Sequence, residues 1–218
     1  MKMYNYFIAL ALILAVSACG GKSSGNKTEA SAAKEVAVAE GQDLVVDLSA
    51  STINWKGFKP GGSHYGVLSL KSGELYIDGG ELKSGTFVID MNSINVEDLE
   101  AGKGKEQLEG HLKSADFFDV EKYPEGKFTI TGVEELSGSE YTHKISGNLE
   151  LKEAVKNISF DATISKDGDT YTAKTATFTI DRTQWGVNYG SKNIFKDLKD
   201  AFINDDMEIT ITLVAKNA

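Results

Sequence analysis

The chain has 218 residues, a net charge of −9 and 41% hydrophobic residues, enough for one packed domain of ordinary size or two small ones. The acidic balance argues against sequence-independent nucleic-acid binding, which needs lysine and arginine in excess on one face. Asp, Glu and Lys are interspersed along the chain, the pattern of a hydrated surface.

The first element in chain order is not part of a fold. Lys2 precedes an apolar run from Phe7 to Val16. This is the layout of a secretory signal peptide over residues 1–18, too short and wrongly flanked for a spanning helix. Its end, Leu14-Ala15-Val16-Ser17-Ala18-Cys19, resembles a bacterial lipobox. That resemblance implies that Cys19 becomes the acylated first residue and holds the protein to a membrane; the alternative is an ordinary cleavage site with an incidental cysteine. Cys19 is the single cysteine of the chain, so with Cys19 acylated the mature protein forms no internal disulfide and is held by its core. Residues 19–42 are dominated by Gly, Ser, Ala and Lys. They predict a flexible tether of about 23 residues reaching roughly 25 Å as a coil.

From about Asp43 to residue 218 the dominant signal is strict alternation. Phe87, Ile89 and Met91 alternate with Thr86, Val88 and Asp90. Ile145, Gly147, Leu149 and Leu151 alternate with polar partners, as do Ile158, Phe160, Ala162 and Ile164. Phe178 and Ile180, then Ile209, Ile211 and Leu213, repeat the pattern. Period two with one apolar face predicts antiparallel strands buried on one side. Pro60-Gly61-Gly62, Ser72-Gly73, Asp78-Gly79-Gly80, Ser137-Gly138 and Asp167-Gly168-Asp169 mark turns. The expectation is an all-β domain of about eight to ten strands, a closed barrel or a sandwich.

Asn92 to Glu125 breaks the alternation. Leu108 and Leu112, four apart, predict a short helix. Ser114 reads as the N-cap of a second single turn from Ala115 to Asp119. Phe117 and Phe118 therefore belong to a helical excursion of about 34 residues, and a connection that long inside a compact β domain is usually functional. A barrel of about eight strands is either filled by side chains or left as a cup for one ligand. The two rings then either line a cavity or cap a filled core.

Three stretches, LEGHLKSADFFDVEKYPEGKFTIT (108–131), ISGNLELKEAVKNISF (145–160) and FTIDRTQWGVNYGS (178–191), occur in the order found in YceI-like proteins, and the resemblance covers about Trp55 to Ala215. Lys152-Glu153-Ala154-Val155-Lys156 departs from the threonine-bearing turn usual there. The early segment from Trp55 resembles a lipoprotein branch of the family. The resemblance implies an antiparallel lipocalin-like barrel of about eight strands whose extended cavity holds a polyisoprenoid chain, as in isoprenoid quinones or isoprenyl phosphates. An isoprene unit gains on the order of 4 kcal/mol gross on burial, against roughly 4–15 kcal/mol for association. Several units can bind with no polar motif. Candidate lining residues are Trp55, Phe87, Ile89, Phe117, Phe118 and Phe128, together with Ile130, Leu149, Phe160, Phe178, Ile180 and Trp185.

Arg182 is the single arginine and the one bidentate partner for a phosphate head; the alternative is an ion pair with Asp181 or another acid that fixes the strand end. His64 and His111 sit in glycine-containing loops. With Asp116 they could form a metal site, or each could hydrogen-bond a loop carbonyl. No metal or other cofactor is expected. The chain carries no Gly-x-Ser-x-Gly elbow, HExxH or phosphate loop, so the expectation is a non-enzymatic, lipid-anchored carrier, most consistent with an outer-membrane protein facing the periplasm. The competing class is a tethered interaction module with a filled core. Whether two barrels pair as a homodimer is open.

Overall fold

The structure, a computed structural model, describes residues 25–217; the expected signal peptide and Cys19 lie outside the described residues. Twelve strands and one helix follow in chain order: β1 (Asn26–Lys27), β2 (Ser31–Ala32), β3 (Gln42–Val46), β4 (Thr52–Lys59), β5 (Gly62–Asp78), β6 (Glu81–Val96), α1 (Lys105–Lys113), β7 (Glu125–Glu135), β8 (His143–Leu151), β9 (Ala154–Asp167), β10 (Thr170–Thr175), β11 (Phe178–Asp181) and β12 (Asp206–Asn217). A 3-10 turn, Arg182–Trp185, follows β11.

β5 to β10 form a meander, each strand antiparallel to the next. β12 closes the ring. One edge of β12 pairs with β10 and β11, and the other with β3 and β4. β3 and β4 occupy successive lengths of a single position between β12 and β5. β10 and β11 share another. The result is a closed barrel with eight strand positions, matching the expectation, and closure removes the free sheet edges that an open sheet would leave. The inward face is the apolar face of the alternation: Ile145, Leu149, Ile158, Phe160, Phe178 and Ile180 are all buried. Bulges between Val67 and Ser69 and between Leu70 and Ser72 in β5 bend the wall.

One glycine shows how tightly the inner wall is fitted. A Cβ on Gly147 would lie 2.1 Å from Cζ of Phe128, whose ring lies over that position. The glycine counted in the alternation as an apolar-face residue is there to leave space for a ring from the neighbouring strand.

The tether differs from its expectation. β1 runs parallel to β11, and β2 pairs antiparallel with β9. Thr28 N donates to Thr179 O at 2.9 Å, its Oγ1 donates to Ser159 O at 2.7 Å, and Ala37 N donates to Ile130 O at 3.0 Å. The cause is a seam in the barrel. β9 pairs with β10 through Ala162–Asp167, and beyond Ala176 the chain leaves β9 to follow β12 as β11. Backbone groups on the diverging edges of β9 and β11 need partners, and the strap from Gly25 to Ala37 supplies them. Small polar residues present no apolar periodicity, so composition reads them as coil, although the docking is made mostly by backbone.

The excursion is also corrected in detail. β6 continues to Val96, so the excursion spans residues 97–124. Ser114 ends α1, with its N–H and its Oγ both donating to His111 O, so its side chain does not act as an N-cap; the single turn that follows is closed on its carbonyl, which accepts from Phe117 N and Asp119 N.

Two outcomes check this description. Hydrogen exchange finds the Thr28 and Ala37 amides protected well beyond free-chain rates, whereas a free tether exchanges them at the intrinsic rate. In urea unfolding, Gly147→Ala destabilises by about 1–3 kcal/mol through overpacking, although alanine in a strand ordinarily gains on glycine; adding Phe128→Leu recovers most of the loss.

Candidate functional site

The strand directions sort the loops into two ends. The hairpins at Asp78–Glu81 and Asp167–Thr170 lie at one end. The β4–β5 hairpin, the excursion and the loop before β12 lie at the other, here called the mouth. α1 covers the mouth and is fixed to β6: Val96 N donates to Glu109 Oε1 at 2.8 Å, and Lys105 Nζ donates to Asn95 Oδ1 at 2.9 Å. Below α1 the Asp-Phe-Phe-Asp segment is pinned as a tight turn. Phe118 N donates to Leu112 O, Val120 N to Lys113 O, and Lys152 Nζ to Phe117 O. These bonds turn Phe117 and Phe118 under α1 at the mouth, where Phe117 meets His111 and Tyr189.

The interior holds three apolar voids in series. The outer void, about 110 Å³, lies under α1 and is bordered by Trp55, Phe58, Leu108, Leu112, Phe117 and Phe118. Exposed Lys59 and half-buried His64 and His111 also border it, so it reaches the surface there. The middle void, about 80 Å³, shares Leu68, Phe118 and Met207 with the outer one. The inner void, about 90 Å³, shares Ile89, Phe128, Phe160 and Ile211 with the middle one. Aromatic rings separate the chambers: Phe128 and Phe160 have centroids 5.6 Å apart, and Phe160 stacks on Phe178 at 4.6 Å. At about 24 cal/mol per Å³, the middle and inner voids each cost the empty fold about 2 kcal/mol. An engineered apolar cavity of about 150 Å³ is already large enough to take up benzene.

Every predicted lining residue except Trp185 borders one of the three voids. Trp185 is fully buried outside them, and its Nε1 donates to Leu149 O at 2.9 Å. It braces the 3-10 turn against β8. The alternation overlooked Leu68, Ile94 and Met207, which border the voids from β5, β6 and β12. Leu68 faces Ile53 across the β4–β5 pair, so cross-strand register would have found it. Ile203 and Asn204, from the loop before β12, carry no sequence signal.

Arg182 borders the outer void, but its guanidinium is largely committed. It donates to the carbonyls of Asn204, Val187 and Ile203 at 3.1, 2.5 and 3.2 Å and lies 3.6 Å from Asp205 Oδ1. Its flat face lies over Phe117, 5.4 Å from the ring centroid. Burial pushes its pKa down, and Asp205 and Asp181 oppose that. This is the strand-end role, with Asp205 as the acid.

Trp55 and His64 also border the outer void. Trp55 and His64 lie on paired strands whose register sets Trp55 opposite Gly66 and Gly57 opposite His64. Directly opposed residues share a face, so all four lie on one face, and a Cβ at Gly57 would meet open space. Trp55 Nε1 is buried and has no acceptor among the described residues. His64 Nδ1 lies 2.7 Å from Asp98 Oδ2, and Asp98 Oδ1 accepts from Tyr65 N at 3.0 Å. Burial raises the Asp98 pKa, but the bonds from Tyr65 and His64 outweigh it and hold the carboxyl below its usual range. His111 instead packs edge-on against Tyr189 and Phe117. The pairing of His64, His111 and Asp116 as metal ligands does not occur: among the described residues no group of three or more His, Cys, Asp or Glu is placed to hold a metal.

Arg182→Lys lowers the unfolding free energy by at least about 2 kcal/mol, because lysine cannot serve three separated buried carbonyls; an arginine kept only for a ligand would leave stability unchanged. The depressed Asp98 contributes stability that is complete above its unfolded pKa of about 3.9 and lost as pH falls through its lower folded value. Asp98→Asn therefore flattens the fall of stability below about pH 4, read by denaturant titration across that range.

Comparison with known proteins agrees with this geometry. A UPF0312 protein of Pseudomonas putida strain W619 is 30% identical over 162 residues, 74% of this chain and 73% of that protein. The fold is similar to that of Burkholderia cenocepacia BcnA, with a TM-score of 0.60, 21% identity, and coverage of 78% of this chain and 98% of that one. It is also similar to a polyisoprenoid binding domain from Saccharophagus degradans implicated in plant cell wall breakdown, with a TM-score of 0.56, 14% identity, and coverage of 84% and 100%. The YceI-like domain model matches residues 44–215, the whole ring from β3 to β12, and the chain belongs to the YceI-like family.

Proposed function

We propose that this protein is a non-enzymatic carrier or sequestering protein of the cell envelope, anchored through acylated Cys19, that binds an isoprenoid-type amphiphile inside the barrel. The observation that carries the reading is the series of apolar voids running from the mouth into the barrel. A long, thin hydrocarbon matches a row of small chambers better than a compact ligand does. Rotation of Phe118 and Phe128, each shared by two chambers, joins them, and filling them relieves the cost of the empty space. The polyisoprenoid-binding domain among the similar structures supports the same ligand class.

The head belongs in the outer void. There Trp55 Nε1 offers a buried donor, while the guanidinium of Arg182 is occupied by carbonyls. A quinone carbonyl accepts from an indole N–H. A phosphate needs charge and several donors. The arrangement therefore favours an isoprenoid quinone over an isoprenyl phosphate. The acyl chains implied by the lipobox-like end at Leu14 to Cys19 are the proposed attachment; among the described residues no helix is long and apolar enough to cross a membrane. The outer membrane, facing the periplasm, is the proposed location.

Organic extraction of the purified protein followed by mass spectrometry yields lipid of isoprenoid mass; a clean extract from protein prepared without delipidation overturns the reading. Trp55→Phe keeps the ring and removes the N–H. It weakens binding of menatetrenone, a naphthoquinone with an isoprenoid tail, by roughly five- to tenfold, while binding of squalene, which has no head, is unchanged.

A further inference from the structure

The docked strap changes how far the barrel can stand from its anchor. Cys19 precedes Gly25 by six residues, and Gly25 N donates to Glu208 Oε1 at 3.2 Å. Six residues span at most about 20 Å. β12 begins at Asp206, at the mouth, only about 7 Å along the strand from Glu208, and it ends at Asn217, about 30 Å away at the far end. The chain enters β1 running toward the mouth, so this six-residue leash would have to fold back to bring Cys19 there; the distance of about 7 Å to the mouth is within its reach, and that of about 30 Å to the far end is not.

At the mouth a loop of residues 186–205 displays an apolar pair. The amides of Ile194 and Phe195 both donate to Ser191 O, a turn that leaves their side chains 46% and 48% exposed. Lys192 and Lys196 flank them; Lys199 follows, with Asp197 and Asp200 between and beyond. The base of the loop is firm. Ile203 N donates to Gly190 O, Asn204 N to Phe58 O, and Arg182 holds the carbonyls of Ile203 and Asn204. Tyr189, from the same loop, packs on His111 and Phe117 at the border of the outer void. An exposed apolar pair, lysines beside it, a short leash and a cavity opening thus share one end of the barrel.

We propose that the loop carrying Ile194 and Phe195 docks on the bilayer that holds the acyl anchor, with the two side chains entering the headgroup–acyl boundary and Lys192 and Lys196 at the phosphates. The barrel stands mouth-down. The amphiphile passes between bilayer and outer void without crossing water. This rests on the carrier reading above for its purpose and on acylated Cys19 for its geometry.

The test uses the full acylated chain in vesicles of phosphatidylethanolamine and phosphatidylglycerol, with an environment-sensitive dye on Phe195→Cys, or on Ile194→Cys should the first misfold. The native cysteine is acylated, so the dye has one site. The dye at 195 shifts to the blue on vesicles, and the same dye on Asp78→Cys, at the far end, stays water-like. A water-like dye at 195, a blue shift at 78, or a chain that is not acylated and stays off vesicles overturns the proposal, as does a blue shift at 195 in vesicle-free solution, which assigns the patch to a second copy. Ile194→Asp with Phe195→Asp slows quenching of tryptophan by menatetrenone supplied in the bilayer roughly tenfold or more, and leaves quenching by menatetrenone supplied in detergent micelles unchanged. Loss of quenching from micelles in the unaltered chain refutes the carrier reading, and the dye still decides docking.

Discussion

A ring of eight strand positions has an interior that side chains only partly fill, and the rest of this structure follows from closing that ring. β12 is the closing strand. It holds four partners on two edges, and this is possible because two wall positions are each shared by two short strands. The sharing has a consequence on each side. Where β3 gives way to β4 the turn is short and local. Where β10 gives way to β11 the wall parts from β9, and the gap is filled by the strap from the N-terminal side of the domain. A core broken by voids gains less from packing than a filled one, so the wall depends the more on complete backbone pairing.

The ends of the barrel are treated unequally for the same reason. The far end carries the two-residue hairpins at Asp78–Glu81 and Asp167–Thr170 and the seven-residue connection from β7 to β8. The mouth is built from the two longest connections, the excursion with α1 and the loop from Gly186 to Asp205. Arg182 ties them together. Its guanidinium gathers carbonyls from the second loop while its face rests on Phe117 from the first. A buried cation with such partners is rigid, and it fixes the floor on which Tyr189, His111 and the phenylalanines meet. Trp55 and His64, on the adjacent strand pair, carry polar groups at the mouth, while the chambers behind them are lined almost wholly by apolar side chains. That division suits an amphiphile whose tail contributes affinity without direction and whose head contributes orientation.

The strap and the mouth also bear on each other. The same backbone pairing that repairs the seam leaves only six residues between Cys19 and Gly25, and under the proposed anchoring at Cys19 that short length is what would set which end of the barrel meets a membrane. Under that proposal a stability requirement of the wall would be coupled to the orientation of the cavity. Neither the seam nor the orientation is visible in the strap's own composition, because small polar residues are compatible both with free coil and with an added edge strand.

Alternation alone made the strands, their inward faces and the interruption around Phe117 and Phe118 legible, since burial on one side of a pleated strand forces a period of two. It therefore also brought out nearly all of the wall of the voids. It could not separate Trp185, which is as apolar as its neighbours but leaves the barrel on a 3-10 turn. Nor could it decide between the two readings of Arg182, because the three carbonyls it holds come from a loop with no periodicity. The chain's order determined which side chains face inward; only the closed tertiary structure decided that they leave voids between them, that a tether becomes part of the wall, and that His64 finds Asp98 rather than His111. Local pattern records the solvent preference of each residue, whereas space left over and backbone edges left unpaired are properties of the assembled ring.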